Sequence, residues 1–243
     1  MGVYAVFYRP DLKPLAEDFM RRYGAVELDC RGSYSHVFIL GGDGTLLEAL
    51  RRHPCLLDAV VVHMGLGRVN FYRSSDAPLS IEEAVGRVER GDYGVLEFST
   101  LVYGDCTALN EFSIYRREMG RLLSFRLESD GGELEGRADG VIVSTPHGAS
   151  GYVVSTFGPV VDFRAEVVVI SFIAPFTLYL RPLVLSAGRV LVETSEDAVL
   201  VCDGRESRPG RRFEIRRGDR RLRLAVFGEF RFLNRVLERL RSI

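Results

Sequence analysis

Along the first 92 residues, short apolar runs alternate with stretches in which apolar side chains recur every three to four positions. GVYAVFYR (2–9) reads as a strand, and Pro10 to Arg22 as an amphipathic helix stopped at Gly24, a residue type favoured just past helix ends. Further strands are expected at 25–30 and 36–40. Thr45-Leu-Leu-Glu48 then has the capping-box spacing, in which a hydroxyl and a carboxylate each satisfy a backbone donor at a helix start, and Pro54 closes that helix. AVVVHM (59–64) has the apolar run of a buried strand. Ser80-Ile-Glu-Glu83 repeats the box and opens a helix that ends at Gly91. Strand and helix in alternation imply a mainly parallel sheet covered by helices.

From residue 94 the rhythm changes to closely spaced strand-like runs, among them VLEFSTLVY, TALNEFSIY, LLSFRLES, GVIVST and EVVVIS, separated by turn clusters such as SDGGE and RRGDRR. This is the pattern of an antiparallel all-β unit. PHGASGYVVSTFGP (146–159) interrupts it with glycines, hydroxyl residues and a short helical stretch, as a ligand loop would. In EFRFLNRVLERLRSI (229–243) apolar residues fall at helical spacing with arginines between them, which predicts a helix with a solvated basic face. The expected organisation is an α/β domain over 1–93, a β-rich domain over 94–228, and a helix over 229–243 that packs back on a sheet.

Composition narrows the class. The 243 residues are 47% hydrophobic, enough for a sizeable core, and the formal net charge of -1 supplies no global field for nucleic acid. Lys13 is the only lysine, so positive charge is carried almost wholly by arginine. The longest apolar run, VVVISFIAPFTLYL (167–180), is too short to span a bilayer, and the N-terminus lacks the pattern of a leader. Cys30, Cys55, Cys106 and Cys202 are far apart with no C-x-x-C, which suggests free thiols in a cytoplasmic protein.

Spelling excludes several chemistries. With one lysine, at position 13, no Walker A loop is possible; GLGRVN (65–70) misses the last glycine of a dinucleotide fingerprint, and GASG (148–151) is one residue short of a serine-hydrolase elbow. What remains is a strand followed by GGDGT and a helix. Gly41, Gly42 and Gly44 can adopt positive φ and bare their backbone N–H groups, and the helix start favours anions, so the turn suits a polyphosphate. A carboxylate, Asp43, is tolerable there if a cation bridges it to the ligand or if it acts as base on a hydroxyl nucleophile, and both roles belong to phosphoryl transfer. Asn110-Glu111 is a second anomaly, a polar pair inside the strand-like TALNEFSIY. A carboxylate can accept from both hydroxyls of a ribose diol, while an amide both donates and accepts at a base edge or sugar.

GGDGT (41–45), LNEF (109–112) and DGVIVSTPHGASGYVVSTFGP (139–159), in that order, resemble the signature segments of the NAD kinases. The resemblance implies transfer of the terminal phosphate of ATP, or of inorganic polyphosphate, to the 2′-hydroxyl of the adenosine ribose of NAD, giving NADP. By it, Asp43 is the proton acceptor, and Gly41, Gly42, Gly44 and Thr45 form the phosphate-donor turn. Asp43, Gly44, Asn110, Glu111, Arg137, Asp139, Thr145, Ser150, Gly151, Tyr152, Val153, Val154 and Ser155 would contact NAD, joined by Arg205, which stands at the glutamine of a late DGQ. It also implies that the β-rich domain over 94–228 is β-sandwich-like and binds the dinucleotide, that the helix over 229–243 returns to the first domain, that Mg²⁺ or a similar divalent ion acts without direct protein ligands, and that the chain assembles as a homodimer or homotetramer. The chain departs from the family pattern at His147, Ala149 and Phe157, and GLGRVNFY (65–72) matches a family segment only in part. Any side-chain clamp on the donor must come from arginine, with Arg51, Arg52 and Arg68 as candidates. Two other readings accompany this one: a lipid or sugar kinase sharing only the glycine turn, and a non-catalytic NADP-binding module.

Overall fold

The computed structural model describes residues 3–68, 70–118 and 120–241. The chain divides into two compact units, one made of the segments up to Phe98 and from Arg221 onward, the other of Ser99–Arg220. The first unit begins β1 (Tyr4–Tyr8), α1 (Lys13–Tyr23), β2 (Val26–Glu27), β3 (His36–Leu40), α2 (Asp43–Arg52), β4 (Val60–His63), α3 (Ile81–Arg90) and β5 (Gly94–Phe98). The second contains β6 (Leu101–Tyr103), β7 (Cys106–Ala108), β8 (Glu111–Arg116), β9 (Leu123–Ser129), β10 (Gly132–Ala138), β11 (Gly140–Ser144), β12 (Val168–Ile173), β13 (Leu183–Leu185), β14 (Arg189–Cys202) and β15 (Glu206–Arg217). The chain then returns to the first unit with β16 (Leu222–Val226) and α4 (Phe232–Arg241).

The first sheet runs β2-β1-β3-β4-β16-β5, parallel except where β16 meets β5. Its central strands β1, β3 and β4 are apolar on both faces, as burial between helices requires. Phe19 of α1 and Val85 and Val88 of α3 close over Val6, Phe38 and Val62, and each such side chain taken from water stabilises the unit by about 2 kcal/mol. Gly24 and Gly91 end α1 and α3 in the left-handed conformation, at φ 63° and 68°, and the Ser80 hydroxyl accepts the Glu83 amide at 3.1 Å.

The second unit is a ten-stranded antiparallel sheet. β14 is its spine. Residues 190–194 pair with β9 and residues 198–202 with β8, with a register irregularity between Glu193 and Ala198, so one long strand serves two branches. Phe112, Ile114, Phe125, Phe172, Val192 and Phe213 fill the core.

Four expectations need correction. The boundary near 93 falls after Phe98, because VLEFSTLVY is not one strand: Ser99-Thr100 separate β5 from β6, and these belong to different units. The return to the first unit starts at Arg221 rather than 229, since β16 inserts between β4 and β5. The solvated basic face of the last helix fails at Arg235, which is 1% exposed; Ser242 and Ile243 lie outside the described residues. Finally, the cysteines are not free thiols. Cys30 pairs with Cys55 and Cys106 with Cys202, with Cα atoms 5.6 and 7.0 Å apart. These partners are 25 and 96 residues apart in sequence and are joined by tertiary structure, which no local spacing reports. Closing loops of that size restricts the unfolded chain by about 3 to 5 kcal/mol each.

Candidate active site

In the first unit, β3 ends at Leu40 and α2 begins at Asp43, leaving only Gly41-Gly42 to turn the chain. The N-cap is Gly42, at φ -97°, so Thr45 lies inside the first helical turn and the expected Thr45–Glu48 capping box does not form. Nor do Gly41, Gly42 and Gly44 take positive φ; among the described glycines of this region only Gly65 does, at 65°. Here glycine permits close approach instead. A Cβ on Gly41 would lie 2.6 Å from Thr45 Cβ, and one on Gly67 would lie 2.9 Å from the Gly42 nitrogen. At a helix start the first amides, here those of Gly42, Asp43 and Gly44, lack helical acceptors, the arrangement that receives anions.

Asp43 is buried, and its carboxylate is gripped from across the turn. Oδ2 accepts the Phe71 amide at 2.8 Å and Oδ1 the Tyr72 amide at 3.1 Å, which fixes the loop after β4 against the glycine turn. A carboxylate offers about four acceptor positions, so each oxygen retains one. Within that loop Asn70 closes on Gly67 with two hydrogen bonds, at 3.1 and 2.6 Å; Val69 lies outside the described residues. Beneath the turn, fully buried His63 faces the Gly41 carbonyl through Nε2 at 3.1 Å. A carbonyl only accepts, so Nε2 carries hydrogen. Burial holds the His63 pKa below the ordinary histidine value against the opposing charge of Asp43, and Nδ1 has no partner among the described residues. Of the candidate clamps, Arg52 is engaged locally, with Glu48 at 3.6 Å and over the Phe7 ring.

The second unit assembles a different cluster. Asn110 is not within a strand: Leu109-Asn110 form a bend, and β8 starts at Glu111. Asp203, in the β14–β15 turn at φ 44°, accepts the amides of Leu109, Asn110 and Glu111 at 2.8, 2.8 and 3.0 Å. The opposite side of the bend is braced by Thr145, whose hydroxyl donates to Leu109 O at 2.9 Å and accepts the Gly148 amide at 2.9 Å. Gly148 sits directly on the Asn110 backbone, where a Cβ would lie 2.7 Å from its Cα. Buried His147 faces the Ser99 carbonyl through Nε2 at 3.0 Å, and Ser150 Oγ donates to His147 O at 2.8 Å.

After this the loop crosses β11 and β12 as two 3-10 turns, Gly148–Ser150 and Tyr152–Thr156. Ala149 and Val153 anchor it on Ile142 and Val169. Gly151, Val154 and Ser155 lie between these anchors and the surface, and Tyr152 packs near Tyr115, whose phenol burial and a hydrogen bond to Tyr152 push up to about 12. Phe157, 97% exposed, ends the segment at φ 57°, a left-handed conformation costly for a non-glycine residue. A cavity of about 600 Å³ opens beside Tyr152, Ser155, Phe157, Ile173 and Leu178.

Not all site residues predicted for this unit converge. Asn110, Glu111, Thr145 and Ser150 are buried together at one end of the β8–β11 pair. Asp139 lies at the other, bound to Arg116 at 3.1 Å. Four paired positions separate Ser144 from Gly140, about 14 Å at the rise of a strand. Arg137 is exposed on β10, stacked over Phe176 with its guanidinium carbon 4.2 Å from the ring centre, and Arg205 is exposed at the turn that carries Asp203. Sequence reasoning missed Asp203 and His63 as organisers. The Asp-Gly of CDGRE is the signal for the first; a histidine ending an apolar strand is at best a faint one for the second. Among the described residues no group of three or more His, Cys, Asp or Glu is placed to hold a metal ion.

A model of the ATP-NAD kinase C-terminal domain matches residues 109–226. NAD kinase 2 of Streptomyces coelicolor is 34% identical over 238 residues, covering 88% of this chain and 78% of the relative. The NAD kinase of Methanopyrus kandleri is 34% identical over 181 residues, 70% of this chain and 64% of the relative. Several other NAD kinases are matched over a similar share, so the chain spans just under two thirds of their length. Among solved structures, an NAD kinase from Archaeoglobus fulgidus in complex with ATP superposes with a TM-score of 0.79 at 27% identity, covering 99% of both chains.

Proposed function

The chain belongs to the NAD kinase family, and from that premise we propose that it phosphorylates the 2′-hydroxyl of the adenosine ribose of NAD, giving NADP, with ATP or polyphosphate as donor. The observation that carries this reading is the seat of Asp43: a carboxylate in the first turn of α2, beside amides suited to phosphate, with acceptor capacity left on both oxygens.

In this reading Gly41, Gly42, Gly44 and Thr45 receive the donor phosphates. Asp43 takes the proton of the 2′-hydroxyl as that oxygen attacks the terminal phosphorus, which positions the nucleophile and removes its charge penalty. Asn110 and Glu111, held rigid by Asp203 and Thr145, hydrogen-bond the dinucleotide, and the loop from Ser150 to Ser155 follows it. The cavity beside Tyr152 and Ser155 suits an aromatic ring of the ligand. Arg137, Asp139 and Arg205 lie at the periphery of that path. A divalent ion, if bound, would be held by the donor phosphates received at the glycine turn and would supply charge neutralisation there. Exposed Phe157, Phe176, Leu178 and Tyr179 support a homodimer or homotetramer. No helix among the described residues is long and apolar enough to cross a membrane. We assign the reaction to the cytoplasm, where nucleotide substrates reside; the two cysteine pairs must then persist under reducing conditions.

Incubating the purified protein with NAD, Mg²⁺ and either ATP or polyphosphate, then assaying NADP, tests function and donor together. NADP formation with at least one donor is expected. Tight NADP binding with no turnover would instead favour a binding module, and turnover on diacylglycerol but not NAD would favour a lipid kinase.

A further inference from the structure

The last helix carries a cation that the reaction as proposed leaves unused. Arg235 of α4 has a side chain with no exposed surface, lying over the Phe230 ring with its guanidinium carbon 4.0 Å from the centre. Nη1 donates to the carbonyls of Phe71 and Arg73 at 2.8 and 2.6 Å, while Nε and Nη2 approach Asp76 Oδ1 at 3.0 and 2.8 Å. Burial pushes its pKa down to about 10, with Asp76 opposing, so it remains cationic at neutral pH.

The Phe71 carbonyl and the Tyr72 amide are two ends of one peptide group. On one side that group accepts from Arg235; on the other it donates to Asp43 Oδ1 at 3.1 Å. A buried cation on the oxygen polarises the peptide and strengthens its N–H as a donor, so guanidinium, peptide and carboxylate form a continuous chain. The neighbouring Phe71 amide, on Asp43 Oδ2, belongs to the same held segment.

We propose that Arg235 is a positioning residue for Asp43: by gripping the peptide between Phe71 and Tyr72, the C-terminal helix sets the orientation in which the carboxylate meets the substrate hydroxyl. The inference rests on the assignment of Asp43 as proton acceptor. It explains why a helix at the end of the chain buries an arginine whose desolvation is costly, where an apolar residue would pack at least as well.

Arg235→Lys, Asp43→Asn and the double variant test it. Arg235→Lys is expected to lower kcat about tenfold while the KM values for NAD and donor stay within twofold, and in the Asp43→Asn background the same substitution is expected to change residual turnover less than twofold. Equal losses in both backgrounds, or an unchanged kcat, would overturn the proposal. Should Arg235→Lys fold poorly, Asp76→Asn loosens the same arginine and is expected to give a smaller loss, about threefold, with the same dependence on Asp43. Amide exchange at Tyr72 reads the grip without turnover: acceleration of about tenfold in Arg235→Lys or Asp76→Asn is expected, and unchanged exchange contradicts it. An inactive wild-type protein would refute the kinase reading instead, and with it the purpose assigned to the grip.

Discussion

The two units solve the same local problem with the same three devices. Each packs a glycine against the backbone of its key segment, Gly67 on Gly42 and Gly148 on Asn110. Each buries a histidine whose Nε2 faces a backbone carbonyl, His63 on Gly41 and His147 on Ser99. Each uses an aspartate to collect amides from a distant stretch of chain. The difference lies in how far that aspartate is spent. Asp203 serves three amides, two of them on Oδ1, from a hairpin turn. Asp43 serves two, one per oxygen, from the first turn of a helix. A carboxylate with three fixed donors is a clip; one with a single fixed donor per oxygen keeps an acceptor position on each, which the base role proposed for Asp43 requires. On the proposed function, one motif serves rigidity in one unit and reactivity in the other, with the number of backbone donors setting the balance.

The glycine contacts give the strongest way to break this parallel. Gly148→Ala and Gly67→Ala each force a methyl group into backbone that cannot give, and each is expected to cost about 3 kcal/mol or more in urea unfolding. A cost below about 1 kcal/mol for either would show that its contact is not required. Next in size, Asp203→Ala strands three amides and is expected to lose about 2 kcal/mol of stability and to raise the KM for NAD more than it lowers kcat. An unchanged KM would separate the clip from the proposed dinucleotide site.

The smallest effect concerns the histidine under the glycine turn. His63 has its pKa depressed by burial, so below the unfolded value near 6.5 the unfolded chain binds a proton that the folded chain refuses. Stability is therefore full above that pH and falls as pH drops, by up to about 1.4 kcal/mol per unit for one such group. His36 and His53 shift in the same direction, so the comparison to make is wild type against His63→Gln. The variant is expected to show the shallower slope between pH 6.5 and 5; equal slopes would remove His63 from the account.

Much of this arrangement is visible in the amino-acid order because it is local. The strand, the glycine turn and the helix after it are contiguous, as are the Ser80 cap and the left-handed glycines at 24 and 91. What stays hidden is what the chain assembles from afar. β16 joins the first sheet 159 residues after β4, between strands to which its own pattern gives no pointer. The cysteine pairs, the Asp203 clip and the burial of Arg235 all depend on partners tens of residues away. Even GGDGT was legible only in part: its spelling marks a turn between strand and helix, proposed to receive phosphate, but the hold of Asp43 on the Phe71 and Tyr72 amides comes from tertiary packing.

The decisive measurement is single-turnover NADP formation by Asp43→Asn beside its affinity for NAD. Asn is isosteric and can still accept one of the two amides through its carbonyl, so the fold and NAD binding are expected to survive while turnover falls at least a hundredfold, the scale of a lost general base. A variant that binds NAD normally and keeps more than about a tenth of wild-type turnover, well above that scale, would mean that Asp43 is only a clip like Asp203 and that the proton leaves by another route.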